Sequence, residues 1–403
     1  MIKELTIQNF RSIREATLEL GRFTVLNGAN NSGKSSVLYA LQVLKNIMTN
    51  PNQTLDDLLN LQFLNLGGIE ETLFGKKTTN GDLRIEIMVS EPQMRNLIST
   101  FAWINSGFFR ENILEIKGIS PIQFAGSIVI SFPYTLNKFQ KIKVENFNTT
   151  EFTWNGFEVK DFVVKDSDVR DFPVGIEVME LVHAIRSSEV VPTHRGFTKP
   201  IFNQIPLNGT IQTEEEVATH LAIDKNLQAK VSHYFEKITG KRFSVSMSPG
   251  VGFFYLQVRE PDTPFTTELV NQGMGVNQIL FLLAKILYDK NRLICIDEPE
   301  IHLHPALIER FMQVLVEIAE KEDKQFLFST HSEHLLMSLL AEVYEGKLAA
   351  DDLKVYFLQK EGAETTIEAQ EVQANGQIKG GLKNFLETQM RLAQRFFPVE
   401  AAV

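Results

Sequence analysis

The hydrophobic pattern of the first part of the chain predicts three strands followed by one helix. Residues 2–10 and 16–20 alternate apolar and polar side chains, as half-buried strands do. Residues 23–26 form a short apolar strand that runs into a glycine-rich loop. Residues 35–47 then repeat apolar side chains at mostly helical spacing, which predicts an amphipathic helix directly after that loop.

The last part of the chain alternates between helices and strands. The predicted elements are helix 277–288, strand 293–296, helix 305–320, strand 325–328, helix 333–340, strands 353–358 and 365–371, and a helix at 382–396. Strands and helices that alternate at this length are typical of a parallel sheet covered by helices. We therefore expect an α/β fold with a mixed, mainly parallel sheet.

The middle of the chain has a different pattern. Residues 82–164 contain short alternating strands, and Asn155-Gly156 is a strong hairpin-turn signal, so this part predicts an antiparallel sheet. Residues 213–216 form a capping box, which opens a helix that ends at Gly240. We expect three regions, which are a discontinuous head at 1–75 and 240–403, an antiparallel β subdomain at 76–170, and a mainly helical insertion or lid at 171–239.

Composition adds limits on the class of protein. The 403 residues are 43% hydrophobic, which excludes wholesale disorder, and 40 Lys and Arg against 50 Asp and Glu give a net charge of −10, so a generally basic coat for nucleic acid is absent. The single cysteine, Cys295, excludes an internal disulfide framework. The N-terminus lacks the apolar run of a signal peptide, and no apolar stretch approaches the ~20 residues that span a bilayer. We expect a cytoplasmic protein with no membrane partner.

The strongest chemical signal is a phosphate-binding loop, Gly28-Ala-Asn-Asn-Ser-Gly-Lys-Ser35, which fits G-x-x-x-x-G-K-[ST] without a mismatch. Its glycines let main-chain N–H groups point at an anion, and the following helix adds its dipole. Lys34 is expected to reach the β- and γ-phosphates of ATP, and the Ser35 hydroxyl to bind Mg²⁺. The alternative is a chance glycine-rich turn before a helix. The residues expected to bind the nucleotide here are Gly28, Asn30, Asn31, Ser32, Gly33, Lys34, Ser35 and Ser36.

Two later strands end in polar side chains. The strand at 293–296 is followed by Asp297 and Glu298, which at the carboxyl edge of a parallel sheet would face the ligand crevice. Asp297 can hold Mg²⁺ through its water shell, and Glu298 can orient and deprotonate the attacking water. His331, at the tip of the next strand, can bond to the γ-phosphate. The alternative is that these groups are solvated acids and a surface or capping histidine.

In this order the three motifs resemble the ABC-type ATPase heads of SMC, RecF and OLD (overcoming lysogenization defect) proteins. Residues 297–305, Asp-Glu-Pro-Glu-Ile-His-Leu-His-Pro, are especially close to the acidic strand and loop of OLD-like and RecF-like members, and residues 329–332, Ser-Thr-His-Ser, match their histidine loop. The resemblance covers roughly residues 1–75 and 240–345. It implies a P-loop NTPase fold that uses ATP and Mg²⁺.

The resemblance also implies several less central contacts. Residues 7–13 are similar to the N-terminal strand of these heads, which implies that Arg11 and Ser12 lie near the nucleotide. Gln62 corresponds to a glutamine that links Mg²⁺ to the rest of the head, with a surface glutamine as the alternative. Residues 192–195, Pro-Thr-His-Arg, resemble a Pro-x-x-Arg element of OLD-like heads, which implies that Arg195 lies near the nucleotide or at the dimer seam.

ABC heads also clasp a partner's γ-phosphate with a Ser-Gly-Gly signature at a helix N-terminus. The candidate segment in this chain is glycine-rich but lacks the serine, and its expected phosphate contacts are Gly273, Gly275 and Asn277. Main-chain N–H groups and the helix dipole can still bind a phosphate. The alternative is a glycine-containing turn that only starts a helix.

The motifs therefore predict a Mg²⁺-dependent ATPase that closes as a homodimer or larger oligomer around ATP. Full-length OLD proteins carry a TOPRIM nuclease domain after the head, and we find no Glu followed by an Asp-x-Asp cluster near the end of this sequence. The favoured role is the sensor or scaffold ATPase of a prokaryotic anti-phage system, which controls a separate effector nuclease or toxin and responds to DNA or a phage-derived trigger. The alternatives are a RecF-like DNA-repair ATPase and a non-hydrolysing ATP-binding scaffold.

The histidines at 302, 304, 331 and 334 also invite a zinc hypothesis. No Cys pair joins either pair of histidines, and both pairs lie where the ATPase pattern already explains them. We therefore predict no zinc site.

Overall fold

A computed structural model describes residues 1–49, 55–76, 82–90, 96–105, 110–119, 127–132, 140–143, 150–154, 159–164, 183–207, 211–248 and 252–381. The predicted helix at 382–396 and the predicted turn at Asn155-Gly156 lie outside these residues. Among the described residues, no helix combines the length and the apolar character needed to cross a bilayer.

A six-stranded core sheet forms the centre of the fold, in the order β11-β16-β17-β3-β18-β19. Its first five strands run parallel to one another, and the last pairs antiparallel at the edge, so the prediction of a mainly parallel sheet is confirmed. The strands are β3 (Phe23–Gly28), β11 (Ser188–Val191), β16 (Leu293–Asp297), β17 (Gln325–Thr330), β18 (Leu353–Glu361) and β19 (Glu364–Gln370).

The core sheet is covered by apolar side chains on both faces, because successive residues of a strand point to opposite sides. In β16, Ile294 and Ile296 belong to one buried cluster, whereas Leu293 and Cys295 belong to the other. The helices on the two faces are α1 (Lys34–Thr49), α4 (Glu214–Ile223), α5 (Lys225–Thr239), α6 (Met274–Leu287), α7 (Pro305–Lys321) and α8 (Glu333–Tyr344), and single turns form α2 (Leu55–Leu58) and α3 (Ile69–Thr72).

Three further sheets within the described residues are antiparallel. The largest has the order β2-β1-β4-β5-β6-β7 and shares a buried cluster with α1, and the others have the orders β10-β9-β8 and β12-β14-β13, with β15 beside β14. The strands are β1 (Ile2–Phe10), β2 (Ile13–Glu19), β4 (Leu83–Ser90), β5 (Asn96–Asn105), β6 (Arg110–Ile119), β7 (Ser127–Phe132), β8 (Gln140–Lys143), β9 (Thr150–Trp154), β10 (Val159–Val164), β12 (Phe202–Asn203), β13 (Arg242–Met247), β14 (Phe253–Arg259) and β15 (Thr266–Glu268).

The single helix predicted between residues 213 and 240 is wrong, because Asp224 divides it into α4 and α5. The Asp224 side chain accepts hydrogen bonds from the N–H groups of Asn226 and Leu227, both at 3.0 Å, and so begins a second helix. The capping box at Thr213 and the end at Gly240, in the left-handed conformation, are both present. A polar side chain that can cap a helix thus interrupted an otherwise continuous apolar pattern.

The region predicted as a mainly helical insertion contributes a strand to the core sheet. Strand β11 pairs in parallel with β16, and its Glu189 bonds to Lys285 of α6 at 2.5 Å and to Lys45 of α1 at 3.5 Å. Burial opposes the charged form of Glu189, but the two lysines outweigh it and lower the pKa of Glu189. This buried triad fixes α6 and α1 to the same strand. The division into three regions remains a prediction.

Candidate functional site

The predicted phosphate loop connects β3 to α1, with its two outer glycines in positions that only glycine fits. A Cβ atom at Gly28 would run into the carbonyl of Leu358, and one at Gly33 (φ +97°) would run into Thr365 and lie 3.0 Å from Ser12 Oγ. Asn30 and Asn31 are exposed, and Asn31 has a positive φ of 64°. The loop therefore follows a tight path with its tip open to solvent, as a main-chain cradle for an anion requires.

The polar side chains at the end of this loop are buried. Lys34 donates from Nζ to the carbonyls of Gly28 (2.9 Å) and Ala29 (2.8 Å), so the ammonium group lies across the loop itself. Burial lowers the pKa of Lys34, while Glu298, Asp297 and Glu300 act in the opposite direction. Ser32 and Ser36 are also buried, and Ser32 Oγ has no hydrogen-bond partner among the described residues.

The loop and the acidic strand end meet at Ser35 and Asp297. Ser35 Oγ donates to Asp297 Oδ1 at 3.0 Å and Oδ2 at 3.1 Å, and Ser329 at the end of β17 donates to the same carboxylate. A hydroxyl beside a carboxylate is a donor set that suits Mg²⁺, which takes one or two protein ligands and completes its shell with phosphate oxygens and water. The residues present therefore fit a Mg²⁺–nucleotide complex.

Glu298 occupies an unusual backbone position next to Asp297. Its φ is +49°, and its N–H donates to the carbonyl of Ser329 at 2.8 Å. His331 Nδ1 lies 3.3 Å from Glu298 Oε1 and 3.7 Å from Glu300 Oε1, and the His331 side chain is 49% exposed. The structure thus brings Glu298 and His331 together at one edge of the core sheet.

The N-terminal segment reaches the loop through Ser12 and Arg11. Ser12 Oγ lies 2.8 Å from Thr365 Oγ1, and both flank Gly33. The Arg11 guanidinium stacks 5.3 Å from the ring centre of Tyr39, and its Nη1 atom is buried with no partner among the described residues. Ser12 therefore contacts the phosphate loop, and Arg11 Nη1 is an unused donor, among the described residues, close to α1.

Gln62 is separate from this group. Its side chain is exposed, and no described hydrogen bond joins it to Ser35 or Asp297. It lines a cavity of about 220 Å³ together with Arg195, Glu189 and Lys285. A contact between Gln62 and Mg²⁺ remains a prediction.

The three residues of the predicted signature segment have different surroundings. Gly273 precedes the first turn of α6, with open space where a side chain would lie. Gly275 instead packs against the loop after the acidic strand, because its Cβ would lie 2.5 Å from the His302 carbonyl. Asn277 is buried, and its amide bonds to the N–H and the carbonyl of Phe197, both at 2.8 Å. Its side chain therefore holds the 197 backbone.

Several residues at the site were not predicted from the sequence. Tyr39 lies four residues after Ser35 on α1, so helical spacing could have identified it. Glu300 is part of the quoted acidic motif, and its Oε1 accepts from Thr330 Oγ1 at 2.5 Å and from the His331 N–H at 3.3 Å. Thr365 comes from the edge strand β19, and no local pattern marks it.

His304, one of the four histidines of the zinc hypothesis, caps a helix. It is the N-cap of α7, and its Nδ1 atom accepts from the Ala306 N–H at 3.3 Å. Among the residues that the structure describes, no three His, Cys, Asp or Glu side chains cluster as a metal site.

Two family models match the chain. One is described as an AAA ATPase domain and matches residues 1–172, and the other is described as an AAA domain, putative AbiEii toxin, Type IV TA system, and matches residues 194–338. Together they cover both the phosphate loop and the acidic strand end.

Two curated relatives and one solved structure are similar to this chain at low sequence identity. The OLD nuclease of Thermus scotoductus is 23% identical over 82% of this chain, and the uncharacterized protein MJECL44 of Methanocaldococcus jannaschii is 31% identical over 36% of it. The matches span 59% and 38% of those relatives, less than two thirds of either. An SMC head, solved bound to the C-terminal winged-helix domain of ScpA, covers 92% of this chain and 98% of its own at 12% identity, with a TM-score of 0.50. The predicted fold class, a P-loop NTPase head, is confirmed.

The ionised form of Glu300 is expected to destabilise the folded protein. Burial raises the pKa of this carboxyl group, and its Oε2 atom has no partner among the described residues. A raised folded pKa means that the folded protein binds the proton more tightly than the unfolded chain, so stability falls as the pH rises above the ordinary value. Glu300→Gln keeps the acceptor for Thr330 and removes the charge. We expect a higher free energy of unfolding for the variant at pH 8, and no gain near pH 4.5.

The measurement is urea unfolding between pH 4.5 and 8 in buffer free of metal and nucleotide. Each tenfold change in proton affinity corresponds to about 1.4 kcal/mol. Glu309→Gln, at an exposed position of α7, corrects for the loss of one surface charge. If the free energies of unfolding of the Glu300→Gln variant and the native protein change in parallel with pH, burial does not penalise the charge of Glu300.

Proposed function

We propose that this chain, an ABC-type ATPase head related to those of OLD and SMC proteins, binds ATP with Mg²⁺ and hydrolyses it. The observation that carries the proposal is the contact between Ser35 and Asp297, at 3.0 and 3.1 Å, because it joins the phosphate loop to the acidic strand end. These two residues would hold Mg²⁺, Ser35 directly and Asp297 through water. The ion would neutralise charge on the β- and γ-phosphate oxygens.

The chain's own residues would bind and orient the reactants. Main-chain N–H groups of the loop would hold the phosphates, and Lys34 would exchange its two loop carbonyls for phosphate oxygens. Glu298 would accept a proton from the attacking water at Oε1 or Oε2. His331, 3.3 Å from Glu298, would donate to the γ-phosphate. Positioning and electrostatics of this kind provide most of the catalysis in phosphoryl transfer.

The proposal includes closure of two heads around ATP. The N-terminus of α6 is supported as the surface that meets the partner's phosphate, because Gly273 borders open space and Met274 is 56% exposed. An uncapped helix N-terminus favours an anion. Gly275 would keep α6 in contact with the loop that follows Glu298. In this assembly the phosphate loop and the acids come from one head, and the α6 N-terminus comes from the other.

The first experiment separates nucleotide binding from hydrolysis. Glu298→Gln should leave ATP affinity within a few-fold of the native value but slow turnover by roughly 100-fold or more, the usual contribution of a general base. Because hydrolysis reopens the assembly, this variant should also accumulate as an ATP-bound dimer or larger oligomer. Turnover is measured by phosphate release, and size by light scattering after gel filtration.

Lys34→Ala is the binding-defective comparison and should show neither ATP binding nor assembly. Lys321→Ala, at an exposed lysine of α7, is the matched control and should behave as the native protein. Native turnover in the Glu298→Gln variant would show that another group activates the water.

We propose further that this head acts in the prokaryotic cytoplasm as the regulatory ATPase of an anti-phage system, and controls a separate nuclease or toxin. The support is the similarity to the OLD nuclease and the family description that names a putative toxin. The single, buried Cys295 is compatible with a reducing compartment. This part of the proposal rests on relatives, because fold alone does not establish a cellular role.

The role is tested by purification from the native host. Tagged Glu298→Gln and Lys34→Ala variants represent the closed and nucleotide-free states, and each co-purified fraction is assayed for cleavage of DNA and RNA. We expect a nuclease or toxin whose yield differs between the two states. Recovery of the same inactive proteins with both variants would contradict control of an effector by ATP.

A further inference from the structure

Arg195 lies buried against the main chain of the acidic strand end. It is 8% exposed, and its Nη1 donates to the carbonyl of Asp297 at 2.6 Å while Nη2 donates to the carbonyl of Glu298 at 2.7 Å. Nη1 also donates to the carbonyl of Pro192 at 2.9 Å. Both Nη atoms are therefore engaged with main-chain carbonyls of the protein, and the expected placement near the nucleotide or at the dimer seam stays a prediction.

Burial opposes the positive charge of Arg195 at this position. Burial lowers the pKa of Arg195 to about 10, while Glu300, Asp297 and Glu298 oppose that shift. A buried guanidinium is retained when carboxylates or carbonyls satisfy it. The planar guanidinium group presents separate N–H donors to two adjacent carbonyls at once. A lysine ammonium is a single compact group and would match the two carbonyls less well.

The main chain that Arg195 holds is the part that aims Glu298. A φ of +49° is a sparsely populated conformation for glutamate, and such residues persist when the surroundings hold them from more than one side. The Ser329 carbonyl accepts from the Glu298 N–H at 2.8 Å, and Arg195 donates to the carbonyls of Asp297 and Glu298, which lie before and after the Glu298 Cα atom. The direction of the Glu298 side chain thus depends on both contacts.

The segment that carries Arg195 is also attached to α6. We name residues 192–197 the arginine strap. Asn277, in the first turn of α6, bonds to both main-chain groups of Phe197 at 2.8 Å, and Gly196 (φ +121°) leaves room for it, since a Cβ there would lie 2.9 Å from Asn277 Oδ1. One short strap therefore connects α6 to the backbone of Glu298.

We propose that Arg195 is a positioning residue, which holds the Asp297–Glu298 main chain so that the Glu298 carboxylate faces the attacking water, and that Asn277 anchors the strap that carries it. This inference rests on the proposed role of Glu298 as the general base. It also gives a physical connection between the α6 N-terminus and the reacting water.

The test compares Arg195→Ala in two backgrounds. In the native background we expect the turnover rate to fall roughly 100-fold, because a misdirected base loses most of its contribution, with ATP affinity within about threefold. In the Glu298→Gln background the same change should cost little more, because residues that act through one group are not additive. Single-turnover phosphate release and ATP titration measure the two quantities.

Chemical rescue distinguishes positioning from general loss of folding. Millimolar guanidinium should restore part of the turnover of the Arg195→Ala variant, whereas the Arg195→Lys variant should stay impaired because one ammonium does not match both carbonyls. Asn277→Ala should lower turnover in the same direction while leaving Arg195 in place, and so keeps the test valid if Arg195→Ala does not fold. Arg292→Ala is the control, since Arg292 also donates to a carbonyl, that of Glu322 at 3.2 Å, but on the surface.

The outcomes separate this inference from the proposed function. If Glu298→Gln slows turnover but neither Arg195→Ala nor Asn277→Ala does, or if Arg195→Ala costs the same in both backgrounds, the positioning role is wrong. If Glu298→Gln itself leaves turnover unchanged, the general base was misassigned and the inference fails with it.

Discussion

The hydrogen bonds from Ser35 to Asp297 join two segments that are 262 residues apart in the sequence, and the rest of the site depends on that contact. The contact exists because β3, β17 and β16 are parallel neighbours, so the three loops at their carboxyl ends share one edge of the sheet. The phosphate loop follows β3, His331 follows β17, and Glu298 follows β16. If these neighbouring strands were antiparallel, their loops would lie at opposite edges of the sheet, about one strand length apart.

Acidic and basic side chains meet at this edge of the core sheet. Asp297, Glu298 and Glu300 lie together, while Lys34 is occupied by carbonyls of its own loop and Arg195 by carbonyls of the acidic strand end. Burial raises the pKa of Glu300 and lowers that of Lys34, because it opposes the charged form of both groups. In the proposed function, a cation beside the acids and phosphates beside Lys34 would stabilise these charges.

Local sequence was a good guide to most of the regular elements and to the two main motifs. Periodicity predicted β1 over residues 2–10 and the helices and strands between residues 274 and 370 to within a few residues, because each buries apolar side chains. The phosphate loop and the acidic strand end followed from spacing alone. The break at Asp224 was missed, since a cap inside an apolar pattern depends on one side chain rather than on periodicity.

Several other contacts between distant segments were beyond sequence reasoning. The side chains of Arg195 and Asn277 bond to main-chain atoms, and any residue could supply those atoms, so no pairing of residue types reveals the contacts. Thr365 meets the loop only because β18 and β19 close the sheet beside β3. Gly275 was identified as a phosphate contact, but its environment shows that packing against the His302 carbonyl already requires a glycine.

We propose that main-chain amides of the phosphate loop hold a triphosphate beside Ser35 and Asp297. A structure determined with Mg²⁺ and a non-hydrolysable ATP analogue tests this most directly. We expect Lys34 Nζ to leave the carbonyls of Gly28 and Ala29 for the β- and γ-phosphates, and the ion to contact Ser35 Oγ. An analogue bound away from the loop, with Lys34 still on those carbonyls, would contradict it.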